Sequence, residues 1–77
     1  MQRFSDRAGV TWDVVLGRES WGGLLALFVP VGDTPAVVRQ APLVSIAYDA
    51  AMQELDDMTD AALQSLLDRS TTREEEP

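Results

Sequence analysis

The chain has 77 residues, a formal net charge of −7, and neither cysteine nor histidine. A chain of this length forms one domain and buries only ~60% of the surface of its unfolded state, so we expect marginal stability. The lack of cysteine and histidine excludes a disulfide framework, a thiolate zinc site and catalysis by an imidazole base.

The negative charge is concentrated in the second half of the chain. Residues 1–42 carry four acidic and four basic side chains, whereas residues 43–77 carry nine acidic side chains against Arg69 and Arg73. A surface of this sign repels phosphate backbones, so we expect no direct nucleic-acid binding. We find no signal peptide and no run of ~20 apolar residues that would span a membrane, and we expect a cytoplasmic protein.

The N-terminal residues predict a β-hairpin. In the segment 6–9, Asp6 and Gly9 occupy the first and fourth positions of a type I turn. Apolar and polar residues then alternate, which is typical of a strand with one buried face. The side chains predicted to enter the core are Val10, Trp12, Val14 and Leu16.

An unbroken apolar run from Leu24 to Val29 predicts the central strand, with residues 17–20 as a polar connection before it. Because the run does not alternate, both faces of the strand should be covered. The C-terminal helices suffice for one face, which leaves the other as a candidate docking surface. Alternatively, the sheet curls into a small half-barrel and covers that face itself. The outward set is either Leu25, Leu27 and Val29 or Leu24, Ala26 and Phe28.

A turn at residues 32–35 and a third strand-like segment from Ala36 to Gln40 follow the central strand. Alternation in this segment places Val37 and Arg39 on one face. Because the connections are short, sequential strands should be antiparallel neighbours. The sequence therefore predicts a small antiparallel β-meander of three to four strands.

After Pro42 the apolar period changes from two to about 3.6, which predicts one or two C-terminal α-helices packed on one face of the sheet. Ser45 is a candidate N-cap for the first helix, although residues 43–47 also fit a further strand. Thr59 is the predicted N-cap of a second helix, with Arg69 in its last turn. Residues 1–70 then form a single α+β domain and residues 71–77 a loose acidic tail. The predicted buried stripes are Val44, Tyr48, Ala51, Met52, Leu55 and Met58 in the first helix, and Leu63, Leu66 and Leu67 in the second.

No combination of residues points to catalysis or to a bound ion. Hydroxyl nucleophiles have neither histidine nor lysine to activate them. Asp56, Asp57 and Asp60 surround a predicted helix start, where negative charge is stabilising, and they lack the alternating acids and central glycine of a calcium loop. Residues 17–23 precede a strand and lack the lysine of a phosphate loop. We expect no enzyme, no cofactor and no metal site.

Arg18 and Trp21 lie together in the connection before the central strand. Tryptophan and arginine dominate binding hot spots, although Trp21 would equally serve to cover the edge of the core. The residues predicted to contact a partner are Arg18, Trp21, Val15, Val37 and Arg39.

Two functions of different classes fit these features. The first is a small non-catalytic accessory module that binds a protein partner, or forms a homo-oligomer, through the apolar sheet face and the Arg18/Trp21 loop. The second is an acidic regulator that binds a basic surface and inhibits by mimicking nucleic acid. Raised ionic strength should weaken a complex between the acidic regulator and a basic surface, whereas a complex formed through the apolar sheet face should persist. A small enzyme ranks last.

Overall fold

The computed structural model describes residues 2–19, 22–45 and 47–73, and the predicted α+β fold is confirmed. Over these residues the sheet has five strands rather than the predicted three or four, and two helices follow the fourth strand. In chain order the elements are β1 (Gln2–Ser5), β2 (Thr11–Arg18), β3 (Leu24–Pro30), β4 (Arg39–Pro42), α1 (Tyr48–Asp56), α2 (Asp60–Asp68) and β5 (Thr71–Thr72).

The sheet is an antiparallel meander in the order β1-β2-β3-β4-β5. Residues directly opposite each other on paired strands point to the same side of a sheet. The side covered by the helices is therefore defined by the pairs Phe4 with Trp12, Val14 with Phe28 and Ala26 with Ala41.

The core lies between this side of the sheet and the two helices. Phe28 packs edge-on against Phe4 and Trp12, with ring centroids 6.0 and 6.3 Å apart, an arrangement that aromatic rings favour. Leu24 and Ala26 point to the same side as Phe28, which settles the alternative that the sequence left open. The helices add Leu55, Leu63, Leu66 and Leu67 to the core.

Asp6 organises the first hairpin, and the predicted turn is confirmed. The Gly9 N–H donates to the Asp6 carbonyl oxygen at 3.0 Å. The Asp6 carboxylate accepts from the backbone N–H of Ala8 and Val10, both at 2.9 Å, and from the indole N–H of Trp12 at 2.8 Å. Gly9 has a φ of 90°, which glycine adopts without steric cost.

The second strand is longer than the sequence predicts. Gly17 and Arg18 belong to β2, and their assignment to a polar connection was wrong because they pair with Leu25 and Leu24. A Cβ on Gly17 would lie 2.8 Å from the Cδ1 atoms of Leu25 and Leu27. Glycine at this position therefore lets both leucine side chains lie across β2.

In the described structure, burial on the other side of β3 decreases from the start of the strand to its end. Leu25 is 3% exposed, Leu27 is half-buried and Val29 is 37% exposed. Among the described residues, β1 and β5 are the two edges of the sheet and do not pair with each other. With principal extents of 35 × 33 × 18 Å, the protein is an open sheet with one helical layer, not a half-barrel.

The third predicted strand is displaced along the chain. β4 covers Arg39–Pro42 instead of residues 36–40, because pairing with β3 begins at Arg39 opposite Phe28. Val37 therefore lies outside the sheet.

Helix α1 begins later than predicted. Ala47 is its N-cap and makes no side-chain hydrogen bond there, while the hydroxyl of Ser45 donates to the Glu54 carboxylate at 3.0 Å. Val44, assigned to the buried stripe, is 90% exposed. The described residues of the segment 43–47 form no strand.

Helix α2 follows the sequence prediction closely. The Thr59 hydroxyl accepts from the N–H of Ala62 at 3.2 Å, which confirms Thr59 as the N-cap. Arg69 is the C-cap residue, just after the last helical turn.

No helix in the described part of the chain has the length and apolar character needed to cross a membrane.

The C-terminal segment is tied to the sheet for three residues beyond Ser70. Thr71 and Thr72, which the sequence assigns to the tail, form β5 on the outer edge of β4. The Arg73 N–H then donates to the Val38 carbonyl oxygen at 2.9 Å. Residues 74–77 of the predicted tail lie outside the described residues.

Candidate protein-binding surface

The side of the sheet that faces away from the helices carries a small apolar patch, which we call the open-face patch. It consists of Val15 on β2 and of Leu27 and Val29 on β3. Val15 lies directly opposite Leu27, and Asp13 lies opposite Val29. All three apolar side chains are at least partly exposed.

Polar contacts border the patch on the β1 side. The guanidinium of Arg3 donates to both carboxylate oxygens of Asp13, at 2.7 and 3.2 Å. This hydrogen bond and the accompanying charge attraction lower the pKa of the Asp13 carboxyl group. Next to this pair, the hydroxyl groups of Ser5 and Thr11 are hydrogen-bonded at 3.2 Å.

Arg73 borders the patch on the opposite side. Its Nη1 donates to Oε1 of Gln40 at 2.6 Å and lies 4.0 Å from Oε1 of Glu19. Because Gln40 is on β4 and Glu19 directly follows β2, the Arg73 side chain extends over the sheet near the start of β3. It thereby contributes polar contacts beside the buried Leu25.

The charges around the patch cancel. Among the described residues, Arg3 and Arg73 balance Asp13 and Glu19 around the patch, in a protein of net charge −7. An apolar centre with a polar rim is the usual organisation of a protein-binding surface, and charged residues are depleted at the centre of such surfaces. The open-face patch has this organisation on a small scale.

Of the five residues predicted to contact a partner, the structure places Val15 in the patch. Arg18 is exposed at the end of β2, but its position opposite Leu24 puts it on the side of the helices. Val37 is 53% exposed in the segment before β4 and is not part of the sheet. Trp21 lies outside the described residues.

Arg39, which the sequence predicts to share a face with Val37 and to contact a partner, does not lie on the side of the open-face patch. It lies opposite Phe28, on the helical side, and its guanidinium donates to the hydroxyl and the carbonyl oxygen of Ser70, both at 2.7 Å. Ser70 is buried, so these bonds satisfy polar groups that solvent does not reach. Arg39 therefore connects β4 to the chain after α2, which is a structural role.

The polar rim of the patch was not predicted, although the pairing of Arg3 with Asp13 could have been inferred from the sequence. A turn with defined ends fixes the register of a hairpin, and the turn at Asp6–Gly9 places Arg3 opposite Asp13. The position of Arg73 had no local signal, because it depends on the pairing of β5 with β4 across the sheet.

Two carboxyl groups of the described residues lie in the same groove. Asp6 and Asp68 line one groove of about 330 Å³. Burial raises the pKa of Asp6, but its hydrogen bonds from Trp12 and from backbone N–H groups outweigh this, and the net pKa is lowered. Hydrogen bonds from Arg7 and Gln64 lower the pKa of Asp68. Two carboxyl groups whose pKa values are both lowered do not provide the separate acid and base of a general acid–base pair.

Within the described ranges, no group of three acidic side chains could hold a metal ion.

Comparisons with protein family models, curated proteins and solved structures found no match. A function for the chain therefore rests on the geometry of this surface.

Proposed function

We propose that the protein is a non-catalytic accessory module that binds a protein surface through the open-face patch. The supporting observation is the exposure of Val29 and its neighbours on a face whose described charged side chains are paired, in an acidic protein. Burial of these side chains contributes ~25 cal/mol per Å² of apolar area. The same burial stabilises a marginal domain, because a partner that binds only the folded state shifts the folding equilibrium.

The occupant that we propose for this face is a second copy of the chain. Two copies that meet through their open faces keep their acidic helical layers on opposite outer sides, so their like charges stay far apart. The two longer extents of the structure, 35 and 33 Å, leave room on its broad side for the roughly 800 Å² that each partner buries in a standard interface.

Charge insertion into the patch tests this proposal. Val29→Asp should weaken self-association more than ~100-fold, because the carboxylate would be buried in the interface without a partner. Val44→Asp introduces the same charge at a side chain that is 90% exposed and belongs to no strand, and it should associate like the unmodified chain. Association is measured as solution mass against concentration. Equal association of both variants would contradict the proposal.

The acidic helical layer supports a second candidate function. Between residues 48 and 60 the chain carries five acidic side chains and no arginine. None of them forms an ion pair with a described residue; they are Asp49, Glu54, Asp56, Asp57 and Asp60. As a regulator, the protein would bind a basic surface through this layer. That complex would weaken steeply as salt increases, unlike association through the open face.

A further inference from the structure

The side chain of Arg73 crosses the sheet on the side of the open-face patch. Its Nη1 donates to Oε1 of Gln40 at 2.6 Å and lies 4.0 Å from Oε1 of Glu19. Gln40 belongs to β4 and Glu19 follows β2, so these two contacts lie on opposite sides of β3. The guanidinium between them therefore lies over the central strand, next to the patch.

The residue of β3 beneath this guanidinium is Leu25. Gln40 is paired with Leu27. The N–H of Glu19 donates to the carbonyl oxygen of Gly23. Leu25 is midway between Gly23 and Leu27, and its side chain points to the same side as that of Leu27 because side chains alternate along a strand. Leu25 is only 3% exposed, so it adds almost nothing to the apolar surface that a second copy would meet.

The guanidinium of Arg73 is poorly suited to an apolar interface. A guanidinium has five N–H donors, and among the described side chains only Gln40 accepts from this one within hydrogen-bond distance. The Arg73 side chain is 41% exposed, so water can accept from the remaining donors. A second copy pressed against it would exclude this water and leave N–H donors unpaired, which costs free energy.

We propose that Arg73 is an autoinhibitory contact that limits self-association through the open-face patch, an inference that rests on the proposed function. A second copy must either bury the guanidinium or displace it from Gln40. When the guanidinium is displaced, Leu25 joins the open-face patch and the apolar contact between two copies becomes larger. The backbone of β5 need not move, because the Arg73 N–H stays bonded to the Val38 carbonyl oxygen.

Arg73→Ala tests this proposal, with Arg69→Ala as the matched control. Both variants lose one positive charge, and Arg69 is the exposed C-cap residue of α2. Arg73→Ala should self-associate at least ~10-fold more tightly than Arg69→Ala, because each copy adds the Leu25 side chain to the contact. Association is measured as solution mass against concentration. The double variant Val29→Asp/Arg73→Ala should remain at the mass of one chain, because the gain depends on the open-face patch.

The exposure of Leu25 in the monomer is measured separately and does not depend on association. In dilute solution, a soluble paramagnetic probe should broaden the Leu25 methyl signals more in Arg73→Ala than in the unmodified chain. The methyl signals of Val14, which is 1% exposed on the helical side of the sheet, are the internal reference and should not change. Equal protection of the Leu25 methyl groups in both proteins would overturn the proposal.

The failure of this proposal is distinguishable from the failure of the proposed function. If the unmodified chain stays monomeric while Arg73→Ala dimerises, the proposed function fails and inhibition by Arg73 stands. If the unmodified chain dimerises and Arg73→Ala dimerises no more tightly than Arg69→Ala, the inhibition is overturned and the proposed function stands. Association of the double variant as tight as that of Arg73→Ala would also overturn the inhibition, because the gain would then come from another surface.

Discussion

At the scale of single residues, the Asp6 side chain shows how one carboxylate accepts hydrogen bonds from several groups at once. Its carboxylate accepts two backbone N–H groups of the turn and the Trp12 indole N–H, and it thereby links the hairpin to the aromatic part of the core. The Asp–Gly spacing predicts the turn from sequence, but only the folded structure brings Trp12 to the same carboxylate.

The pH dependence of stability should show this role. Asp6→Asn should lower the free energy of unfolding at pH 7 by about 1–3 kcal/mol, because the amide donates where the indole N–H needs an acceptor. The folded state lowers the pKa of Asp6, so its contribution is complete above the unfolded value of about 3.9 and is lost as pH falls through the lower folded value.

Urea unfolding at several pH values compares the two proteins. The difference in unfolding free energy should be constant from pH 7 to about 5 and should shrink below pH 4. Asp33→Asn, in the exposed turn after β3, serves as the matched control and should change little. A difference that grows on acidification would contradict the assigned role of Asp6.

Arg39 shows why the position of a residue relative to a sheet is hard to read from sequence. The side of the sheet on which Arg39 lies depends on the residue at which β4 begins. That residue is determined by the pairing of β4 with β3, and no local sequence pattern predicts this pairing. A one-residue change in register moves every side chain to the opposite face.

Arg39→Met tests the structural role of this residue. Methionine keeps an apolar stem but leaves the Ser70 carbonyl oxygen without its donor, so unfolding should require about 1–3 kcal/mol less free energy. Amide exchange at residues 71–73 should become faster, whereas self-association should be unchanged. Arg69→Met, at the exposed C-cap of α2, is the control. Loss of association with unchanged stability would show instead that Arg39 contacts a partner.

At the scale of elements, the sequence predicts best the helices and strands that have a capping residue, a turn or an apolar period of their own. Helix α2 has a capping threonine and a leucine stripe at helical spacing, and both are found as expected. Helix α1 has no side-chain cap, and its start was predicted too early. Strand β5 has no apolar residue. It forms because its backbone pairs with the edge of β4 and because the Arg39 guanidinium donates to the Thr72 hydroxyl.

Thr59→Ala should destabilise α2 by about 1 kcal/mol, since the Ala62 N–H loses its acceptor. Thermal unfolding followed by circular dichroism measures the effect. Thr59→Ser retains the hydroxyl and should behave nearly as the unmodified chain. If both variants were equally destabilised, the methyl group of Thr59 rather than its hydrogen bond would be responsible.

At the scale of the whole molecule, the fold separates charge from apolar surface. The helical layer carries the acidic residues of α1 and α2, and the opposite side of the sheet carries the open-face patch with its paired charges. The uneven charge along the sequence predicts the acidic layer. The pairing of charges around the open-face patch was not predicted, because it depends on strand register and on the position of Arg73.

The most direct test of the account is the solution mass of the chain as concentration increases, measured at low and at high ionic strength. Because contact through an apolar patch bordered by paired charges is little affected by screening, we expect the mass to rise from 8.4 kDa towards that of two chains in both conditions. Val29→Asp should remain at the mass of one chain. A chain that stays monomeric at every concentration, or whose association requires low salt, would contradict the proposed role of the open-face patch.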